Sequence, residues 1–147
     1  MQHLWRRSCR LSGFPCMGSC YNQWTQDIRF PKVIFNEGSD YDSATGVFTC
    51  RIHGMYWFSA AIANVQTSPG YIECFINVNG GGKIWIQSTN SGTGSAAFHL
   101  KIGDRVQIGH CVHQDKIHSS PLTYFSGVLI RPDAQMISIN KIYSLNN

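Results

Sequence analysis

From Phe30 onward, short apolar runs alternate with polar positions, and turn residues interrupt them about every eight to twelve residues. This spacing predicts an all-β sandwich or barrel. Strands are expected at 30–36, 46–51, 54–64, 71–79, 83–90, 95–102, 104–113 and 122–131. The breaks at Gly38-Ser39-Asp40, Ser68-Pro69-Gly70, Asn79-Gly80-Gly81-Gly82, Ser91-Gly92-Thr93-Gly94 and Gly103-Asp104 carry turn chemistry. Tyr56, Phe58, Ala60 and Ile62 share one face of their strand, with Trp57 and Ser59 on the other. Ala96, Phe98, Leu100 and Ile102 oppose His99 and Lys101 in the same way. These are half-buried strands, and they predict Phe48, Tyr56, Phe58 and Phe98 among the most buried residues.

Two strands break the alternation. In 71–79, Ile72, Cys74, Ile76 and Val78 form one face while Tyr71 and Phe75 stand on the other. In 122–131, Phe125, Gly127 and Leu129 oppose Tyr124, Val128 and Ile130. A strand apolar on both faces is covered on both sides. In a two-layer sandwich the second cover comes from another chain, so Tyr71, Phe75 and Tyr124 are expected at an interface between copies.

Composition narrows the class. The chain has 147 residues with two glutamates and five lysines, so strong helix formers are scarce and a helical bundle is excluded. High apolar content and low net charge exclude disorder for most of the chain. No run reaches the roughly 18 apolar residues of a membrane-spanning helix. The net charge of +4 is uneven: Arg6, Arg7, Arg10 and Arg29 face only Asp27 within residues 1–29. The remainder is nearly balanced, so neither nucleic acid binding nor membrane insertion is expected of it. The chain divides into an irregular leader at 1–29, a patterned domain at 30–131 and a weakly alternating tail at 132–147. The leader shows no apolar segment of the length a secretory signal needs after its arginines.

No C-x-x-C pair occurs among the six cysteines, which removes the main support for zinc-ribbon and thioredoxin-type readings. Cys9, Cys16 and Cys20 lie in the leader among Gly, Pro and Ser, and are candidates for disulfides between chains. Cys50 shares parity with Phe48 and is expected inside. Cys74 points inward with Ile72 and Ile76, whereas Cys111 lies opposite Val106 and Ile108 by parity. A bridge between Cys74 and Cys111 would need a bulge, so reduced thiols are the default expectation.

Residues 30–58, FPKVIFNEGSDYDSATGVFTCRIHGMYWF, carry a more specific pattern. Phe30, Asn36, Tyr41, Phe48 and the Gly54-x-Tyr56-x-Phe58 run stand at the spacing of the signature of the globular head domain of complement component 1q, which this chain resembles. The signature closes with Phe or Tyr two residues later, where this chain has Ala60, so packing there must differ. The runs SGTGSAAFHLKIGDRVQI and YFSGVLI resemble later parts of the same family. The resemblance implies a ten-stranded jelly roll, similar to tumour necrosis factor, that forms homotrimers. It also implies a secreted, non-enzymatic protein that recognises glycans or other surface patterns. The alternative is an extracellular ligand or assembly unit, cerebellin-like or cytokine-like, that binds a cell-surface receptor. Neither Gly-X-Y repeats nor heptads occur here, which fits a stalkless member or an excised head.

His110, His113 and His118 with Cys111 and Asp115 form the densest cluster of ligating residue types. His110 and His113 differ by an odd number of positions and point to opposite strand faces, so no metal and no cofactor are expected. His113, Gln114, Asp115, Lys116 and His118 form a polar loop at a sandwich end, where recognition residues concentrate. With the exposed aromatic Trp85, they are the candidate ligand contacts. Residues 74–103 contain no Asp or Glu, which argues against a calcium site there. No phosphate loop, metalloprotease helix or nucleophile elbow is present.

Overall fold

The structure, a computed structural model, describes residues 27–64, 70–112, 117–118 and 122–134. Eight strands occur among them: β1 Tyr41–Asp42, β2 Val47–Thr49, β3 Gly54–Ala63, β4 Ile72–Val78, β5 Gly81–Ser88, β6 Ser91–Leu100, β7 Arg105–Val112 and β8 Tyr124–Pro132. They form two antiparallel sheets, one ordered β1-β2-β7-β4-β5 and the other β6-β3-β8. The apolar faces of the two sheets meet in a single core that includes Tyr56, Phe58, Ile62, Ile72, Ile76, Ile86, Leu100 and Ile108. Alternation in β3 and β6 explains this directly, since every second side chain enters the core.

Small residues set how closely the sheets approach. Gly94 of β6, Ala60 of β3 and Phe125 of β8 stand side by side in register. A Cβ on Gly94 would lie 2.8 Å from Ile86 Cγ1 and 2.9 Å from Ile84 Cγ2. Isoleucines of the opposite sheet therefore rest on the backbone of β6. The alanine at 60, where the signature has an aromatic, lies fully buried between Gly94 and Phe125.

Several expectations are corrected. Residues 30–36 form no strand. Pro31 has no N–H to give a ladder, and Val33, Ile34 and Phe35 are exposed. The segment is held at its ends instead: the Phe30 N–H donates to Tyr41 Oη at 3.1 Å, and the Asn36 amide pairs with both backbone groups of Tyr41. Asn79 and Gly80, both at positive φ, turn the chain between β4 and β5, so Gly81 and Gly82 begin a strand. Ser91, Gly92, Thr93 and Gly94 likewise lie inside β6. Tyr56 and Phe58 are buried as expected, whereas Phe48 and Phe98 are only partly buried against the core.

The expectation of reduced strand thiols fails for one pair. Cys74 and Cys111 form a disulfide, and Cys50 is a buried free thiol. The bulge that such a bridge required is present. Glu73 pairs with Val112 and Phe75 with Gly109, so two steps on β4 match three on β7. His110 takes up the extra residue with φ 51°, which reverses parity and turns Cys111 inward beside Val106 and Ile108.

The two doubly apolar strands also belong to different sheets. Phe75, and Tyr71 just before β4, go with the five-stranded sheet, and Tyr124 goes with the three-stranded one. Cys9, Cys16, Cys20, His113, Gln114, Asp115 and Lys116 lie outside the described residues.

Candidate functional site

Three surface features deserve comparison. On the outward face of the three-stranded sheet, Trp57 of β3 stands between Ala97 of β6 and Val128 of β8. Ser59 stands between Ser95 and Ser126, and Ala61 faces Tyr124. Trp57, Tyr124, Val128 and Ile130 are all exposed, which leaves a strip of apolar side chains, crossed by the serine row, on a sheet face. At the end of the strip His99 Nε2 lies 2.9 and 3.0 Å from the Asp133 carboxylate oxygens, tying β6 to the residue after β8.

The second feature is a cavity of about 450 Å³ between the 30–37 segment and β8. Its lining is largely aromatic and includes Phe30, Tyr41, Phe48, Phe58, Tyr124 and Phe125, with Phe35 and Ile34 on the segment side. Phe125 is the hub, with ring centroids 5.8 Å from Phe58 and 6.1 Å from both Phe30 and Tyr41.

The third lies on the outward face of the five-stranded sheet. Phe75 of β4 pairs in register with Trp85 of β5, and their rings are near-parallel at 6.5 Å between centroids. His110 meets the Phe75 ring edge-on, also at 6.5 Å. The Trp85 Nε1–H donates to Glu73 Oε2 at 3.2 Å. Trp85 is 57% exposed.

Of the residues expected to contact a ligand, Trp85 lies on this third face, and His118 does not join it. The His118 N–H donates to the Ala63 carbonyl at 2.7 Å, and its own carbonyl accepts from the Thr123 hydroxyl at 2.6 Å. Its backbone thus fastens the end of β3 to the start of β8. Val112, the residue before 113–116, stands opposite Glu73. Glu73 and His110 were missed as members of the third face. Glu73 was legible from its parity with Phe75, but His110 is re-aimed by the bulge, which parity counting does not reveal.

Cys50 is not set up as a nucleophile. Burial pushes its thiol pKa up, and its Sγ–H donates to the Ile52 carbonyl at 3.1 Å. Tyr56 gives its hydroxyl proton to the same carbonyl at 2.8 Å, and burial raises its pKa to about 12. Among the described residues no three His, Cys, Asp or Glu side chains converge in a way that could hold a metal ion. None of the helices there is long and apolar enough to cross a membrane.

The C1q domain family model matches residues 17–130. The chain belongs to the C1q domain family. Human complement C1q and tumor necrosis factor-related protein 9B is 34% identical over 83 residues, covering 54% of this chain and 24% of that protein. Mouse complement C1q tumor necrosis factor-related protein 7 is 32% identical over 121 residues, covering 75% of this chain and 40% of that protein. The matches thus span a quarter to two fifths of these relatives' lengths. The globular domain of zebrafish complement 1qA superposes with a TM-score of 0.61 at 20% identity, over 74% of this chain and 86% of that structure. Murine APRIL superposes with a TM-score of 0.52 at 14% identity, over 69% and 82%. The two-sheet sandwich is therefore the jelly roll of this C1q domain and its tumour necrosis factor-like neighbours.

Proposed function

We propose that this C1q domain works outside the cell as a non-enzymatic recognition head, that it assembles as homotrimers, and that it binds glycans on cell or microbial surfaces. The observation that carries the reading is the presence of exposed aromatic faces on opposite sheets. Assembly through the Trp57–Val128 strip would cover one and leave the Phe75–Trp85 face open for a ligand. The buried, raised-pKa Cys50 thiol supports a binding rather than a catalytic role. The test is a glycan array probed with protein of verified assembly state. Binding to a defined set of glycans, competed by the free sugar, supports the reading, and a blank array overturns its glycan part.

A second reading is favoured by the curated relatives' names, which join complement C1q to tumor necrosis factor. In it the head is itself a protein ligand for a cell-surface receptor. Pull-down from a cell-surface extract that recovers one receptor, undiminished by free sugars, would select this reading.

A further inference from the structure

We propose that Phe75, Trp85 and His110, with Glu73 beside them, form a stacking site for one pyranose ring of a neutral glycan. The inference rests on the glycan reading above and assigns its site and ligand class.

The geometry is that of a prepared aromatic shelf. Phe75 lies over Gly82, where a Cβ would come within 2.8 Å of the Phe75 ring, so the backbone of β5 makes room for it. Trp85 stacks with it at an interplanar angle of 13° and offers the more exposed ring. Its Nε1–H is already engaged by Glu73, which fixes the ring before any ligand arrives and lowers the ordering cost of binding. Both edges of the shelf are shaped by bulges. On β5, Ile84 and Gly82 face consecutive residues of β4, which makes Lys83 the extra residue. On β7 the extra residue is His110, a non-glycine at φ 51° whose imidazole borders Phe75. Bulges that re-aim side chains, and strained non-glycine backbone, concentrate at functional sites.

The ligand class follows from the chemistry of the rim. A flat, exposed aromatic surface bordered by a few oriented polar groups suits a ligand with one apolar face and a polar perimeter. A pyranose has that form: its axial C–H bonds make one face apolar and its equatorial hydroxyls ring the edge. Glu73 retains a carboxylate oxygen to accept a hydroxyl, and Gln87, its partner in register on β5, offers both a donor and acceptor. The charged group in contact with the shelf is the Glu73 carboxylate, so an anionic sugar is disfavoured there and a neutral ring is preferred.

Saturation-transfer NMR on the full chain tests this. The probes are the methyl glycosides of mannose, glucose, galactose and N-acetylglucosamine, with sialic acid as the anionic comparison. At least one neutral glycoside should receive saturation at its axial C–H protons. Its affinity should fall about tenfold in Trp85→Ala and be largely retained in Trp85→Phe, the loss expected for one aromatic contact. Ile102→Ala, an exposed change in the β6–β7 turn, should leave it unchanged. A thermal melt and the Cys74–Cys111 bridge, checked by mass spectrometry, verify that each variant is folded. A neutral glycoside that binds Trp85→Ala as well as the parent overturns the site while leaving the glycan reading intact. Stronger binding of sialic acid through Trp85 overturns the neutral class. Silence from every sugar here and on the array overturns the glycan reading itself.

Discussion

The Phe58 ring occupies the space that a side chain at position 127 would need: a Cβ on Gly127 would lie 2.5 Å from Phe58 Cε1. The two residues are paired in register across β3 and β8. Phe58 is fully buried, with its ring near Phe48, Tyr56, Phe98 and Phe125. Gly127→Ala should therefore destabilise the domain by about 1–3 kcal/mol through overpacking. Phe58→Ala should cost about 3–5 kcal/mol through lost burial and a cavity. Denaturant titration of both variants checks the two values, and unchanged midpoints would refute the packing described.

The disulfide makes a second prediction. Peptide mapping without reductant should recover Cys74 joined to Cys111, and replacing both by alanine should destabilise the domain by about 2–4 kcal/mol. Cys50 should react with an alkylating reagent only after unfolding, because it is buried. Rapid alkylation of Cys50 in the native protein would contradict its placement.

Alkaline pH provides a third. The folded pKa of Tyr56, about 12, exceeds its ordinary value of 10.0. The stability linked to this group is thus fully present below pH 10 and is lost as pH rises towards 12. Chemical denaturation at a series of pH values should show a decline across that window, and Tyr56→Phe should remove part of it. A profile identical in the two proteins would separate Tyr56 from the effect.

Assembly separates the two aromatic faces. Val128→Asp places a charge in the strip proposed to join three copies, and light scattering should then report monomers. Phe75→Asp lies on the other sheet and should leave the trimer intact. A parent domain that is monomeric at micromolar concentration would refute the assembly.

The leader thiols are open to the same kind of test. If Cys9, Cys16 and Cys20 link chains, the protein migrates more slowly on non-reducing than on reducing gels, and changing all three to serine abolishes the difference. Equal migration would remove the case for covalent assembly.

Much of this fold was legible because burial alternates through β6 and the first half of β3, where Tyr56, Phe58 and Leu100 obey it. The family signature was legible because Asn36 and Tyr41 act through local pairing that spacing preserves. What alternation could not show was any break in its own period. The bulge at His110 moved Cys111 from the expected outer face into the core and brought His110 to Phe75, changing both the disulfide and the site. Sheet membership was equally hidden, because two apolar faces on a strand do not say which sheet holds it.

The placement of Trp85 on the sheet opposite Trp57 has a consequence for the geometry of capture. In the proposed trimer, the five-stranded sheets look outward and their shelves diverge by about 120° around the axis. Three shelves facing apart cannot all rest on one flat membrane. Each can engage a different particle, so such a head would clump its targets into a cross-linked network rather than coat a single surface.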